Sequence, residues 1–153
     1  MRLVETWVKA PFLKEASLLL ISKCAQDVFP DVYDEFAKGR VVLTSCPEVE
    51  NAGTIMGKLA SMLTCSNPSD VTVLTMEGSP HCLILHFAAN AAVFTTKSNV
   101  PISHFVVLER KAIEVSPESV RVARYLHLVE KCIQRCPEVL EDLSRHSLEH
   151  SCG

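Results

Sequence analysis

Four short stretches of this chain are built on consecutive rather than alternating apolar residues: residues 17–22, 40–44, 70–76 and 104–109. Continuous rather than alternating runs of this length are the pattern of strands covered on both faces, as in a parallel sheet. A fifth, partly alternating stretch over residues 2–8 predicts an additional edge strand. The segments between them carry helical signals. Residues 31–38 predict a short helix with Phe36 inward and Gly39 at the left-handed position after its end. Ile55, Met56, Leu59, Met62 and Leu63 recur at helical spacing behind Asn51, a suitable cap. Residues 82–95 are apolar nearly all round, which requires deep burial or cover by another subunit.

Strand–helix–strand alternation with connections of this length predicts right-handed crossovers. The expected fold is α/β: a Rossmann-like parallel sheet of about four strands with helices on both faces and a C-terminal helical extension. The α/β domain is expected over residues 1–112 and the extension over 113–153. Ser116-Pro117-Glu118 is a helix start, and Val122, Leu126, Val129 and Ile133 mark an inward stripe after it. Pro137 should kink or restart that helix, and the polar tail 144–153 should fray.

Composition narrows the partners. The chain has 153 residues, 48% of them hydrophobic, 22% charged, with a net charge of −3. It is long enough to fold around its own core. A pI of 6.1 and the lack of any Lys/Arg run argue against nucleic acid and acidic lipid. The longest apolar stretch, 83–94, is interrupted by His86 and Asn90 and is too short to span a membrane. The start of the sequence has the pattern of neither a secretory nor a transit signal. Seven cysteines, an odd number, then point to reduced thiols and a cytoplasmic location.

The cysteines carry the chemistry. Cys24 follows the first strand, Cys46 the second, and His81-Cys82 the third. In a parallel sheet the carboxyl ends of the strands form one rim, where ligands bind. Three thiols and an imidazole at one rim suit zinc, an iron–sulfur cluster or a reactive thiol, while small residues packing under loops is the plain alternative. No C-x-x-C occurs. Glycine-rich phosphate loops and the G-x-S-x-G elbow are also missing, so enzyme chemistry is limited to a Cys–His nucleophile, with His81 serving Cys24 or Cys46. Cys132 and Cys136 share a helix face, and His146, His150 and Cys152 lie near the end of the sequence; packing and a mobile tail explain these more simply than metal does. His86 and His127 read as satisfied, half-buried histidines, Cys65 as a loop residue, and His104 as an ordinary strand residue.

Several blocks occur in a recognisable order: Ala10-Pro11-Phe12, Leu19-Leu20-Ile21 with Cys24, Phe36-Ala37-Lys38-Gly39-Arg40, Cys46-Pro47, Lys58-Leu59, Val71-Thr72-Val73, Met76-Glu77 and Pro80-His81-Cys82. Together they resemble the C-terminal domain of bacterial and archaeal ferredoxin-type iron–sulfur proteins, which reads roughly A-P-F, L-L-I-A-A-D-C, F-x-K-G-R, G-C-P-K-L-D and M-E-V-P-C-C-G-G-L. The C-x-x-C-x-x-C motifs of that family are missing, Lys23 and Ser45 replace its Asp and Gly, and Leu83-Ile84 replace its glycine pair. The resemblance implies a cysteine-ligated metal or iron–sulfur binding domain associated with electron transfer. Its ligands would be Cys24, Cys46 and Cys82, with His81 in the fourth place, and its cofactor an iron–sulfur cluster or zinc. The alternative is a non-catalytic interaction subunit that has lost the metal. A redox or complex partner protein, or a second copy of the chain, is the expected company.

Overall fold

The computed structural model describes residues 1–147. Five strands form one sheet in the order β2-β1-β3-β4-β5: β1 is Ser17–Ser22, β2 Val41–Ser45, β3 Asp70–Met76, β4 Ile102–Leu108 and β5 Lys111–Val115. The first four strands are parallel, as the continuous apolar runs require, and β5 is antiparallel to β4. The chain forms two compact units, Met1–Pro117 and Glu118–Gly153, so the expected boundary at 112/113 falls inside β5.

Alternate residues of β1 serve two cores. Leu18 and Leu20 pack with Leu43, Val71 and Val73 against Ile55, Leu59, Met62 and Leu85, which belong to α3 (Ala52–Ser66) and α4 (Pro80–Thr96). Leu19 and Ile21 pack on the other side with Ala25 of α1 (Lys23–Val28), Val32 of α2 (Pro30–Ala37), Leu74 and Val107. Phe36 reaches that second core, edge-on to Phe105 at 4.9 Å between ring centroids. The connection leaving β1 therefore runs over one face and the one leaving its neighbour β3 over the other. Such a switch point opens a crevice at the carboxyl edge.

The helix signals are realised locally. Asn51 caps α3 by accepting from the backbone N–H groups of Gly53 and Thr54, and Gly39 takes φ +72° after α2.

The α/β architecture is the expected one, and three details differ from the sequence reading. Residues 2–8 form no strand: only Arg2 bridges to Thr44, in parallel. Leu3, wholly buried, turns the chain inward and Thr6 N–H donates to the Leu3 carbonyl. The sheet has a fifth strand, because the chain reverses at Glu109–Arg110 and returns along β4. The helical extension is three pieces, α5 (Pro117–Val122), α6 (Leu126–Arg135) and α7 (Val139–His146). Pro137 separates the last two as expected, but the predicted inward stripe is only partly covered: Val122, Val129 and Ile133 are half-buried, Leu126 is 80% exposed, and no residue of α6 is fully buried. Among the described residues, no helix is long and apolar enough to cross a membrane.

Candidate functional site

The carboxyl rim of β2, β1 and β3 is built by short, capped turns. Ser22, the last residue of β1, also caps α1 through an Ala25 N–H bond to its hydroxyl, which sets Cys24 in the first turn of that helix. Ser45, the last residue of β2, lies beside Ser22 in register, so Cys46 leaves the sheet next to α1. Beyond β3, Gly78 takes φ +74° and Ser79 caps α4 by accepting from Cys82 N–H, with Pro80 in the first turn. Serine or asparagine caps and prolines at helix starts fix the entry of each loop.

All four expected site residues lie at this rim. Cys24 is exposed, Cys46 half-buried and Cys82 buried. His81 is exposed, and its Nδ1 stands 3.9 Å from a Glu48 carboxylate oxygen of the neighbouring loop. The thiols sense one another: partial burial, then the charges of Cys82 and Cys46, push the Cys24 thiol above its ordinary range, with Asp27 and Glu48 adding to the effect. Among the described residues, however, no three His, Cys, Asp or Glu side chains gather into a cage that could hold a metal ion. The rim presents neighbouring thiols rather than a formed coordination sphere.

One residue at this rim has no signature in the sequence. Glu50 is buried, its side chain only 5% exposed. One carboxylate oxygen accepts from Arg2 Nη2 at 2.9 Å and Nε at 3.3 Å; the other accepts from the Ser45 hydroxyl at 2.5 Å and Cys46 N–H at 3.3 Å. It ties the N-terminal segment to the loop carrying Cys46. Beside it opens a cleft of about 310 Å³ lined by Arg2, Lys23, Gln26, Cys46, Val49 and Glu50, among others. A carboxylate fully engaged in this way holds a backbone in place instead of presenting itself to a ligand.

The remaining candidates stand apart from the rim. Cys132 is exposed within α6 and Cys136 caps that helix, its thiol pushed up by a hydrogen bond to Glu138. His146 ends α7, while His150 and Cys152 lie outside the described residues. Cys65 is exposed near the end of α3. His127 is exposed, edge-on to Tyr125. His104, an unremarkable strand residue in the sequence, is wholly buried and bonded to His86.

A family model described as a Rossmann-like domain matches residues 10–150. An uncharacterized protein of Archaeoglobus fulgidus is 31% identical over 84 residues, 55% of this chain and 58% of that relative, so the chain spans less than two thirds of its length. No solved structure matches the chain. These matches overturn the resemblance to ferredoxin-type iron–sulfur proteins, since neither points to that family. The shared blocks explain the discrepancy. Leu19-Leu20-Ile21 and Val71-Thr72-Val73 are interior strand residues of β1 and β3, of a kind any parallel sheet buried on both faces needs. Across 141 of its 153 positions (150 − 10 + 1), the chain belongs to the Rossmann-like domain family.

Proposed function

We propose that this is a binding domain whose carboxyl rim takes a soft metal centre, an iron–sulfur cluster or a zinc ion, on the thiols of Cys24, Cys46 and Cys82, with His81 as the fourth donor and electron transfer as its setting. The observation that carries the proposal is topological. Three adjacent strands, β2, β1 and β3, each release a cysteine at the same edge, beside the switch point where open α/β sheets bind ligands. Thiolates with one imidazole form a sound donor set for either centre. Such chemistry belongs in a reducing compartment, which fits a cytoplasmic protein.

A second reading is favoured by the spacing of the same side chains. Because no three donors are caged among the described residues, the rim also fits a non-catalytic interaction subunit that carries its thiols without metal. Anaerobic purification followed by elemental analysis separates the two. Metal near one equivalent of zinc, or iron with visible absorbance, lost in Cys46→Ser and Cys82→Ser, supports the first. Metal-free protein, or metal content indifferent to both substitutions, leaves only the second.

A further inference from the structure

Away from the carboxyl rim, two thiols stand one helical turn apart. Cys132 lies within α6 and Cys136 ends it, and the Cys136 N–H donates to the Cys132 carbonyl at 2.9 Å, which fixes the turn between them. Packing, the simpler reading of this spacing, does not account for the pair. No residue of α6 is fully buried; Cys132 is exposed and Cys136 half-buried. Neither residue is enclosed, so both can meet a reagent from solution.

The geometry suits a bond between them. Residues four apart on a helix have Cα atoms about 6.2 Å apart, inside the range of about 4.4–6.8 Å that a disulfide spans. Their Cβ atoms, about 5–6 Å apart in a regular helix, must approach to about 4 Å. Cys136 is placed to supply that movement. At φ −137° and ψ 68° its backbone has already left the helix, and Pro137 cannot continue it. The two thiols also differ. Glu138 holds the Cys136 thiol protonated above the ordinary range through a hydrogen bond, while Cys132 is exposed. Arg135, one turn along, shares the side of α6 that carries Cys132, which favours an anionic reagent.

We propose that Cys132 and Cys136 are a redox-reactive dithiol, which closes to an intrachain disulfide by exchange with a small anionic disulfide. Cys132, as the thiolate, attacks one sulfur of the reagent. The reagent's S–S bond breaks, and the departing thiolate takes up a proton equivalent to the one Cys132 has lost. The Cys136 sulfur then attacks the mixed disulfide at Cys132, giving its proton through Glu138 to the second departing thiolate. Two protein thiols lose two electrons in all, and one reagent disulfide becomes two thiols. The proposal uses no residue of the rim and holds whether or not the rim binds metal.

The test uses the full chain and oxidised glutathione, followed by acid quenching, alkylation of the remaining thiols and peptide mass mapping. Trypsin cuts after Lys131 and Arg135, so the two cysteines fall on separate peptides, 132–135 and 136–145, which only the bridge joins. The joined peptides should be the main product of this segment, with helical circular dichroism retained. In Cys136→Ser, Cys132 should keep its glutathione as a stable mixed disulfide, formed within about twofold of the wild-type rate. Cys132→Ser should slow the reaction of the segment about tenfold, since the thiol left behind is bound to Glu138. Glutathione on both cysteines without joined peptides overturns the proposal, as does a segment that stays reduced. A bridge from either cysteine to Cys65 or to a rim cysteine overturns it too, and so does a Cys136 that reacts before Cys132.

Discussion

His86 Nδ1 lies 3.0 Å from His104 Nδ1 in the interior between α4 and β4, and the two rings continue a hydrogen-bonded chain from Thr75 to Asn90. Two facing Nδ1 atoms share one proton. With His104 Nε2–H donating to Asn90 Oδ1, His104 Nδ1 must accept; His86 Nδ1–H donates to it, and His86 Nε2 accepts from the Thr75 hydroxyl. Both rings are neutral in this arrangement, and a further proton would set two N–H groups against each other.

That requirement fixes a pH dependence. Burial, and for His86 also the charge of His104, lowers both imidazoles from 6.5 to about 4. The unfolded chain takes up these protons near pH 6.5 and the folded chain only near pH 4, so the unfolded state binds more protons in between. Stability is therefore fully present above about pH 6.5 and falls as the pH drops towards 4. The loss is about 3 kcal/mol per ring at most, and less than twice that for the coupled pair. Urea melts at pH 7.5 and 4.5 measure it. A double His86→Leu/His104→Leu variant should be less stable at pH 7.5, because Thr75 and Asn90 lose partners, yet should lose much less on acidification. Equal acid sensitivity in the two proteins would place its source elsewhere.

Glu50 should matter more to stability than its exposed partner does. Glu50→Ala leaves the buried Ser45 hydroxyl and the Cys46 N–H without their acceptor, which costs about 2 kcal/mol. Arg2→Ala leaves the carboxylate bonded to both, while Arg2 itself is half-exposed and exchanges the contact for water; its effect should be smaller. Chemical denaturation ranks the two, and an Arg2→Ala loss as large as that of Glu50→Ala would mean that the ion pair, not the loop bonds, holds this corner.

Cys24 should be a slow nucleophile for an exposed thiol. Partial burial and the neighbouring Cys82 and Cys46 raise it above the usual thiol range, so little thiolate exists at pH 7. Mass-resolved alkylation by iodoacetamide should show Cys24 modified several-fold more slowly than the exposed Cys132, with a pH midpoint that moves down in a Cys46→Ser/Cys82→Ala variant. An unchanged midpoint would show that the rim thiols do not interact.

The sequence exposes whatever is periodic and hides what depends on distant partners. The parallel strands are legible because Leu18 to Ile21 and Val71 to Leu74 face two cores at once, which leaves no charged residue within either run and only Thr72 as a polar one. The placement of Cys24, Cys46 and Cys82 at one rim follows from strand order, so it too is legible. Their spacing from one another is not, since Ser22, Ser45 and Ser79 set it through local caps and register. Glu50 is invisible because Arg2 lies 48 positions away. His104 is misread because a histidine at a strand start resembles any edge residue until His86, 18 positions back, is placed against it. The helix α1 has only six residues, too few for periodicity to declare itself.

The strand β5 is hidden for a different reason, one that yields its own test. Leu108 pairs with Lys111, so the hairpin turns on Glu109 and Arg110 alone, with φ of 48° and 65°. Two positive φ angles in a two-residue loop are the mark of a type I′ turn, which favours Asn-Gly. Here two charged residues with Cβ atoms occupy it, each at a cost of about 1 kcal/mol. Arg110 also pairs with Asp31 on the surface, an interaction expected to offset less than about 1 kcal/mol. Replacing the turn by Glu109→Asn/Arg110→Gly should therefore stabilise the domain by about 1 kcal/mol. Asp31→Ala isolates the ion pair, and in that background the full gain of the new turn, about 2 kcal/mol, should appear in thermal or urea melts. No gain in the Asp31→Ala background would mean that the backbone at Glu109 and Arg110 is unstrained, and that β5 is held by its ladder to β4 alone.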